Sequence, residues 1–170
     1  MDEHRMGLKP VIRRVFAPKG RRPVVKVNHR YEWLYALGFV HPESGRSLWY
    51  LLPVLNAVTF GLALTNFAQS LRIPSGRRVL LVLDNAPWHK AKGLVVPPGV
   101  QLVFQPPYSP EVQPSEHLWG MVDEVVVNQN FRSLKALQHS VSAQCVRLMA
   151  DLVRVRKATL FQWWPRAVSR

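Results

Sequence analysis

Five consecutive aliphatic residues at positions 79–83, VLLVL, end directly in Asp84. A short run of this kind is typical of a central strand that is buried on both faces. Such a strand places the next residue at the carboxyl end of a sheet, where α/β folds usually assemble ligand sites. The sequence therefore predicts an α/β protein with a carboxylate at that edge. The alternative interpretation is that Asp84 only caps the following segment or forms an Asx-turn ahead of Pro87.

The segments before this strand predict a hairpin and a helix. Aromatic and apolar runs at 31–40 and 47–52 flank the turn residues of HPESGR, which favours a β-hairpin. Apolar residues then recur at helical spacing from Phe60 to Leu71, with Asn56 as the candidate N-cap. Residues 47–71 carry no charge, but Pro53 and several polar residues interrupt them. A strand that leads into a core helix explains this stretch better than a membrane span.

The segments after this strand predict a further short strand and two helices. VQLVF at 100–104 favours a strand, and a Pro-rich loop then leads to a helix that begins at Glu116 with Ser115 as its cap. Apolar residues spaced by three or four from Leu134 onward predict a long amphipathic helix from about Ser133. The element order predicts a mixed α/β sheet flanked by helices.

Length and cysteine content indicate one globular domain. The chain has 170 residues, of which 48% are hydrophobic, enough for a core without covalent cross-links. The single cysteine, Cys145, excludes a disulfide scaffold and a cysteine-based zinc site, and favours the cytoplasm. We expect the domain to cover residues 1–155 and a C-terminal tail to cover residues 156–170.

The charge balance favours a polyanionic partner. There are 23 Lys and Arg residues against 10 Asp and Glu residues, a formal net charge of +13, which makes nucleic acid the leading candidate. A dense basic block near the start of the chain is predicted to contact phosphates through Arg13, Arg14, Lys19, Arg21, Arg22 and Lys26. A solvated basic surface is the alternative interpretation of this block.

Three acids stand out by their context, namely Asp2, Asp84 and Glu116. Glu116 follows a Pro-rich loop and opens a predicted helix, where an acid is also favoured by the helix dipole alone. Asp2 has the alternative interpretation of solvated surface near the chain start. The three acquire functional significance only as a group.

Three segments resemble the catalytic domain of the mariner-like DDE transposases of bacterial insertion sequences. LVLDNAPWHK at 81–90 is similar to the family's second-aspartate motif, and VFQPPYSPEVQPSEHLW at 103–119 is similar to the loop that leads to its catalytic glutamate. DEHRMGL at 2–8, followed by a basic segment, resembles its first-aspartate strand. The resemblance covers roughly residues 2–140.

The resemblance implies a ribonuclease H-like fold in which Asp2, Asp84 and Glu116 are the catalytic, metal-binding carboxylates. Clustered ionised acids repel one another unless cations neutralise them, and oxygen ligands favour Mg²⁺ or Mn²⁺. Two such ions would clamp the attacking and leaving oxygens of a phosphodiester. The implied reaction is hydrolysis at transposon ends, followed by attack of a freed 3′-hydroxyl on target DNA.

The resemblance also implies supporting residues and partners. Asn85, His89 and His117 are expected to support the acids, whereas Trp88 and Trp119 are expected to pack. The partners implied are double-stranded DNA, both transposon ends and target, and a second copy of the chain as a homodimer on DNA. The implied location is the bacterial cytoplasm, in association with the nucleoid and without a membrane.

The chain departs from the family pattern at two places. Gln113 stands where the family usually has asparagine, a mild change. Only Met1 precedes Asp2, so we expect a truncated first strand. Either the chain is the second reading frame of a split transposase, with the family's helix-turn-helix region on an upstream polypeptide, or it is a truncated remnant or an engineered fragment. A degenerate or domesticated DNA-binding relative without catalysis is therefore the alternative function.

Overall fold

A computed structural model describes residues 1–24, 30–162 and 164. The strands are β1 (Asp2–Gly7), β2 (Trp33–His41), β3 (Arg46–Leu52), β4 (Val79–Leu83) and β5 (Val100–Phe104). The helices are α1 (Ala57–Leu71), α2 (Glu116–Asp123), α3 (Leu134–Ala150) and α4 (Leu152–Thr159). Two short 3₁₀ turns cover Pro87–Lys90 and Pro110–Val112. The predicted hairpin, the predicted strands and the predicted helices are confirmed.

The strands form an antiparallel and a parallel group. β1, β2 and β3 pair antiparallel in that order, with Asp2 opposite Gly38, and β4 pairs parallel with β5. The amino nitrogen of Met1 donates a hydrogen bond of 2.7 Å to the carbonyl oxygen of Val82. This contact brings the start of β1 against β4, so the first acid and the second acid belong to neighbouring strands.

Two hydrophobic clusters cover opposite faces of the sheet. Because side chains alternate along a strand, Leu34 and Ala36 of β2 face one cluster while Leu37 and Phe39 face the other. Helices α2, α3 and α4 pack on the first face and α1 packs on the second. The predicted mixed α/β fold with flanking helices is confirmed.

Side-chain caps begin two of the helices at the predicted positions. Asn56 Oδ1 accepts hydrogen bonds of 3.0 Å from the backbone nitrogens of Val58 and Thr59, so α1 starts with a satisfied first turn. Ser133 Oγ accepts one of 3.2 Å from the nitrogen of Ala136 at the start of α3.

Two local expectations are wrong. Leu80 of β4 is 63% exposed, so this strand is buried on one face and not on both. Ser115 has helical backbone angles, and its side chain makes no capping hydrogen bond. The backbone nitrogen of Glu116 already bonds to the carbonyl oxygen of Gln113, so tight turns begin before the helix and leave no extended residue to serve as its cap.

Within the described ranges, no helix has the length and apolar character needed to cross a membrane. The uncharged stretch at 47–71 is instead divided between β3 and α1. The expected domain boundary at residue 155 falls inside α4 and stays a prediction.

Candidate active site

Asp84 and Glu116 line one cavity of about 420 Å³. Asp84 follows β4 and Glu116 opens α2, with 31 residues between them in the sequence. The Pro-rich loop at 106–110 forms another wall of this cavity. The Asp84 side chain is 50% exposed and Glu116 is exposed, so both carboxylates are open to a ligand.

The Asp84 carboxylate is held by its own turn and by a histidine. Its Oδ1 accepts a hydrogen bond of 3.0 Å from the backbone nitrogen of Ala86, which is the Asx-turn of the alternative interpretation. The same oxygen lies 2.8 Å from His89 Nδ1. The Asx-turn does not prevent Asp84 from binding a ligand in the cavity, because the turn uses only one of the two carboxylate oxygens.

Asp2 lies on the face of β1 that packs against α2. Its Oδ2 accepts a hydrogen bond of 2.6 Å from Trp119 Nε1, and the residue is buried. The pKa of Asp2 is raised to about 6, mainly by burial and also by the charges of Glu116 and Glu3, while the hydrogen bond from Trp119 acts to lower it. Asp2 therefore lies within electrostatic reach of Glu116.

Glu3, an acid outside the predicted set, lies on the opposite face of β1. Its Oε1 is 2.8 Å from Nε2 of the fully buried His89 and accepts a hydrogen bond from Trp88 Nε1. Glu3, Asp84 and His89 each offer a ligand atom, and these atoms lie within 4.8 Å of one another. A group of residues with the chemistry to hold a metal ion therefore exists at this edge. Consecutive side chains of a strand point to opposite faces of the sheet, so the sequence alone could have predicted that Asp2 and Glu3 face different sides of β1.

The other predicted supporting residues divide between two places. Asn85 Nδ2 donates a hydrogen bond of 2.8 Å to the carbonyl oxygen of Gln105 and so joins the ends of β4 and β5. The exposed His117 ring instead lies against Phe161, with ring centroids 4.9 Å apart. Asn85 thus supports the cavity wall directly, whereas His117 contacts the C-terminal segment.

Gln113, the residue that departs from the family pattern, is buried. Its Nε2 donates a hydrogen bond of 2.9 Å to the carbonyl oxygen of Met1. The Pro-rich loop is thereby fastened to the residue before Asp2.

The two tryptophans pack, as expected, and also donate. Trp119 stacks on His4 with ring centroids 5.2 Å apart and meets Trp49 edge to face. The indole N–H of Trp119 donates to Asp2 and that of Trp88 donates to Glu3, two contacts that local sequence reasoning missed.

The predicted phosphate-contacting residues are mostly exposed. Arg13 is exposed too, but it forms an ion pair: its Nη2 lies 2.9 Å from Oδ2 of the buried Asp123. The remaining described members are exposed, namely Arg14, Lys19, Arg21 and Arg22. Lys26 lies outside the described residues.

The sequence profile of the family described as DDE superfamily endonuclease matches residues 1–138. The chain belongs to this family. A protein of Sinorhizobium fredii (strain NBRC 101917 / NGR234), described as uncharacterized protein y4pE/y4sA, is 29% identical over 136 residues, which are 79% of this chain and 99% of that protein. The resemblance found in the three sequence segments is confirmed at the level of the family.

Solved structures with the same fold come from the Mos1 mariner system. The Mos1 mariner paired end complex with Mn superposes with a TM-score of 0.65 at 16% identity, covering 92% of this chain and 52% of that chain. The Mos1 strand transfer complex gives a TM-score of 0.58 at 18% identity, covering 94% and 54%. The chain thus spans about half the length of these Mos1 chains. The ribonuclease H-like fold that the resemblance implied is confirmed.

Proposed function

We propose that this chain is the catalytic domain of a transposase that cleaves DNA at the ends of an insertion sequence and joins the freed ends to target DNA. One observation carries the proposal: Asp84 and Glu116, distant in sequence, line one open cavity, and the Asp2 carboxyl lies within electrostatic reach of Glu116. Membership of an endonuclease family and a fold shared with Mos1 complexes support it.

The donor set fits Mg²⁺ or Mn²⁺, the ions named in two of the Mos1 complexes. Carboxylate oxygens are the ligands that these ions prefer. Asp2, Asp84 and Glu116 would hold two ions, and the raised pKa of Asp2 is that of a buried carboxylate whose charged form a nearby cation would stabilise. Held by these residues, divalent ions would supply charge stabilisation during cleavage of a phosphodiester.

The protein's own groups prepare this edge. Ala86 and His89 fix Oδ1 of Asp84, Trp119 fixes Oδ2 of Asp2, and Gln113 ties the glutamate loop to Met1. Placing acids in advance matters because phosphoryl transfer depends on positioning and electrostatic stabilisation.

The substrate of the proposed reaction is double-stranded DNA. The net charge of +13 and the exposed Arg14, Lys19, Arg21 and Arg22 favour phosphate contacts. Lys26 belongs to the same proposed set. Arg13 contributes its charge less freely, because it is paired with Asp123.

The proposed assembly is a homodimer on paired ends, with a helix-turn-helix polypeptide that recognises the ends. The proposed catalytic domain covers residues 1–155, followed by the tail at 156–170. The bacterial cytoplasm, with the nucleoid as the binding partner, is the proposed location.

The test is cation-dependent nicking of a plasmid that carries the element's ends. We expect wild-type protein to nick in Mg²⁺ or Mn²⁺, and Glu116→Gln and Asp84→Asn to lose nicking while retaining DNA binding. Glu111→Gln is the matched control, because Glu111 is an exposed acid five positions before Glu116. Salt-sensitive binding by a wild-type protein that never cuts would instead establish the non-catalytic DNA-binding relative.

A further inference from the structure

We infer that Glu3 and His89 are positioning residues that fix the orientation of the Asp84 carboxylate at the cation site. The inference rests on the proposed function, because it gives both residues a role toward a cation that Asp84 would hold. Neither residue acts as a ligand in this arrangement.

The His89 imidazole lies between two carboxylates. Its Nδ1 is 2.8 Å from Asp84 Oδ1 and its Nε2 is 2.8 Å from Glu3 Oε1. The two ring nitrogens face different partners, so a flip of the ring would disturb both contacts at once. The side chain is 0% exposed, and water therefore does not compete for either nitrogen.

Two aromatic residues hold this pair in place. Trp88 donates its indole N–H to the Glu3 carboxylate, which is only 8% exposed. Phe60 of α1 packs against the imidazole with ring centroids 4.5 Å apart. A continuous set of contacts thus runs from α1, through His89, to the edge where Asp84 enters the cavity.

The contacts to Asp84 distinguish its two oxygens. In the part of the chain that the structure describes, the Ala86 hydrogen bond and the His89 contact both fall on Oδ1. We assign Oδ2 to the cation on this basis. Outer residues that orient a ligand in this way typically contribute about 10- to 100-fold to metal affinity.

The competing arrangement is a cation held directly by Glu3, Asp84 and His89. Their ligand atoms are close enough, and Nε2 of His89 makes no hydrogen bond within the described residues. Both imidazole nitrogens nevertheless lie 2.8 Å from a carboxylate oxygen, so an ion bound by the imidazole would have to compete with one of these contacts. The two arrangements differ in what Glu3 does, and this difference is measurable.

The experiment compares His89→Asn with His89→Gln in the full chain, with Mn²⁺ as the ion and electron paramagnetic resonance as the readout of free Mn²⁺. An asparagine amide reaches the place of Nδ1 and still donates to Asp84, whereas a glutamine amide reaches the place of Nε2 and faces Glu3. We expect Asn to hold Mn²⁺ within about threefold of wild type and Gln to bind it about tenfold more weakly. Both variants lose the ring that packs on Phe60, so the thermal unfolding temperature should fall in both. A difference in stability therefore does not explain a difference in Mn²⁺ affinity.

If wild-type protein binds Mn²⁺ and the two variants bind it with equal affinity, the positioning role is overturned and the proposed function is left intact. A loss in Glu3→Gln as large as that in Asp84→Asn overturns it in favour of direct ligation by Glu3. If His89→Gln binds Mn²⁺ more weakly than His89→Asn but wild-type protein never nicks DNA, the positioning role is supported and the proposed function is contradicted. A wild type that binds no Mn²⁺ overturns both.

Discussion

Asp2 and Glu3, consecutive acids on β1, occupy opposite faces of the sheet and have different surroundings. Asp2 accepts a hydrogen bond from Trp119, and Glu3 accepts one from Trp88. Among the described residues, Glu3 also has a basic partner at ion-pair distance, His89. The side chain of Asp2 forms no ion pair there and accepts its hydrogen bond from a neutral indole. The two neighbouring acids thus differ, because Glu3 lies against a basic side chain and Asp2 forms no ion pair among the described residues.

This difference indicates which acid is available to an ion. A buried carboxylate without an ion pair is costly, and the pKa of Asp2, raised to about 6 mainly by burial, reflects that cost. A cation would relieve it. Glu3 already has a partner in the protein, which suits a supporting role better than ligation.

The largest expected effect separates the two acids by activity. Asp2→Asn should lower cation-dependent nicking by about 10³-fold, because several kcal/mol of charge stabilisation depend on the ligand set. Glu3→Gln should lower it by no more than about threefold, because its contact with Asp84 runs through His89. Initial nicking rates at saturating Mg²⁺ measure both. Equal losses would show that the two faces do not differ in function.

The next prediction compares the residues paired with these acids on β2. Leu37, opposite Glu3, is 0% exposed, and Leu37→Ala should lower the free energy of unfolding by about 3 kcal/mol through loss of core contacts. Gly38, opposite Asp2, lies beneath two rings: an added Cβ would be 3.0 Å from Trp49 and 3.1 Å from Trp119. Gly38→Ala should cost about 2 kcal/mol, because rings packed this closely must shift.

Urea titrations of both variants measure these costs. Gly38→Ala should also disturb the Trp119 hydrogen bond to Asp2, which Leu37→Ala should leave in place. A Gly38→Ala protein with wild-type stability and an unshifted Trp119 indole NMR signal would contradict the close approach.

Much of the fold was predictable because its signals are local. The spacing of Phe60, Leu64 and Phe67 and the caps Asn56 and Ser133 set the positions of α1 and α3. The one-sided burial of β4 was not predictable, because an aliphatic run does not show what covers each face, and Leu80 lines an open groove. The Ser115 cap was wrong because preceding turns had already tightened the backbone.

The candidate site was predictable only in part. Asp84 and Glu116 carry strong motifs and share a cavity, whereas the grouping of all three acids as ligands stays a prediction. Glu3 was missed because its partner, His89, lies 86 positions away in the sequence, and only the folded chain brings the two together. The indole donors were missed for the same reason.

A smaller effect should appear in stability without any cation. The pKa of Asp2 is raised from 3.8 to about 6, so between these values the folded state keeps a proton that the unfolded chain has released. Stability contributed by protonated Asp2 is therefore lost as pH rises from about 4 to about 6. Asp2→Asn should stabilise the protein at pH 7 by on the order of 2 kcal/mol.

Glu3→Gln is the matched control on the other face. It should destabilise the protein by about 2 kcal/mol, because it removes the charge that faces the buried His89. Unfolding in EDTA-containing buffer at pH 4 and pH 7 measures both variants. Stability changes of the same sign at pH 7 would remove the distinction between the two faces.

The smallest effect tests the indole donors one at a time. Trp119→Phe keeps a ring against His4 and Trp49 but loses the N–H group that stabilises ionised Asp2. The pKa of Asp2 should therefore rise further above about 6, by less than one unit if the hydrogen bond contributes about 1 kcal/mol. Carboxyl-carbon NMR titration of Asp2 measures the shift. Trp88→Phe removes the matching donor to Glu3 and should leave the Asp2 titration where it is. An equal shift in both variants would mean that the indoles act through packing and not through their separate hydrogen bonds.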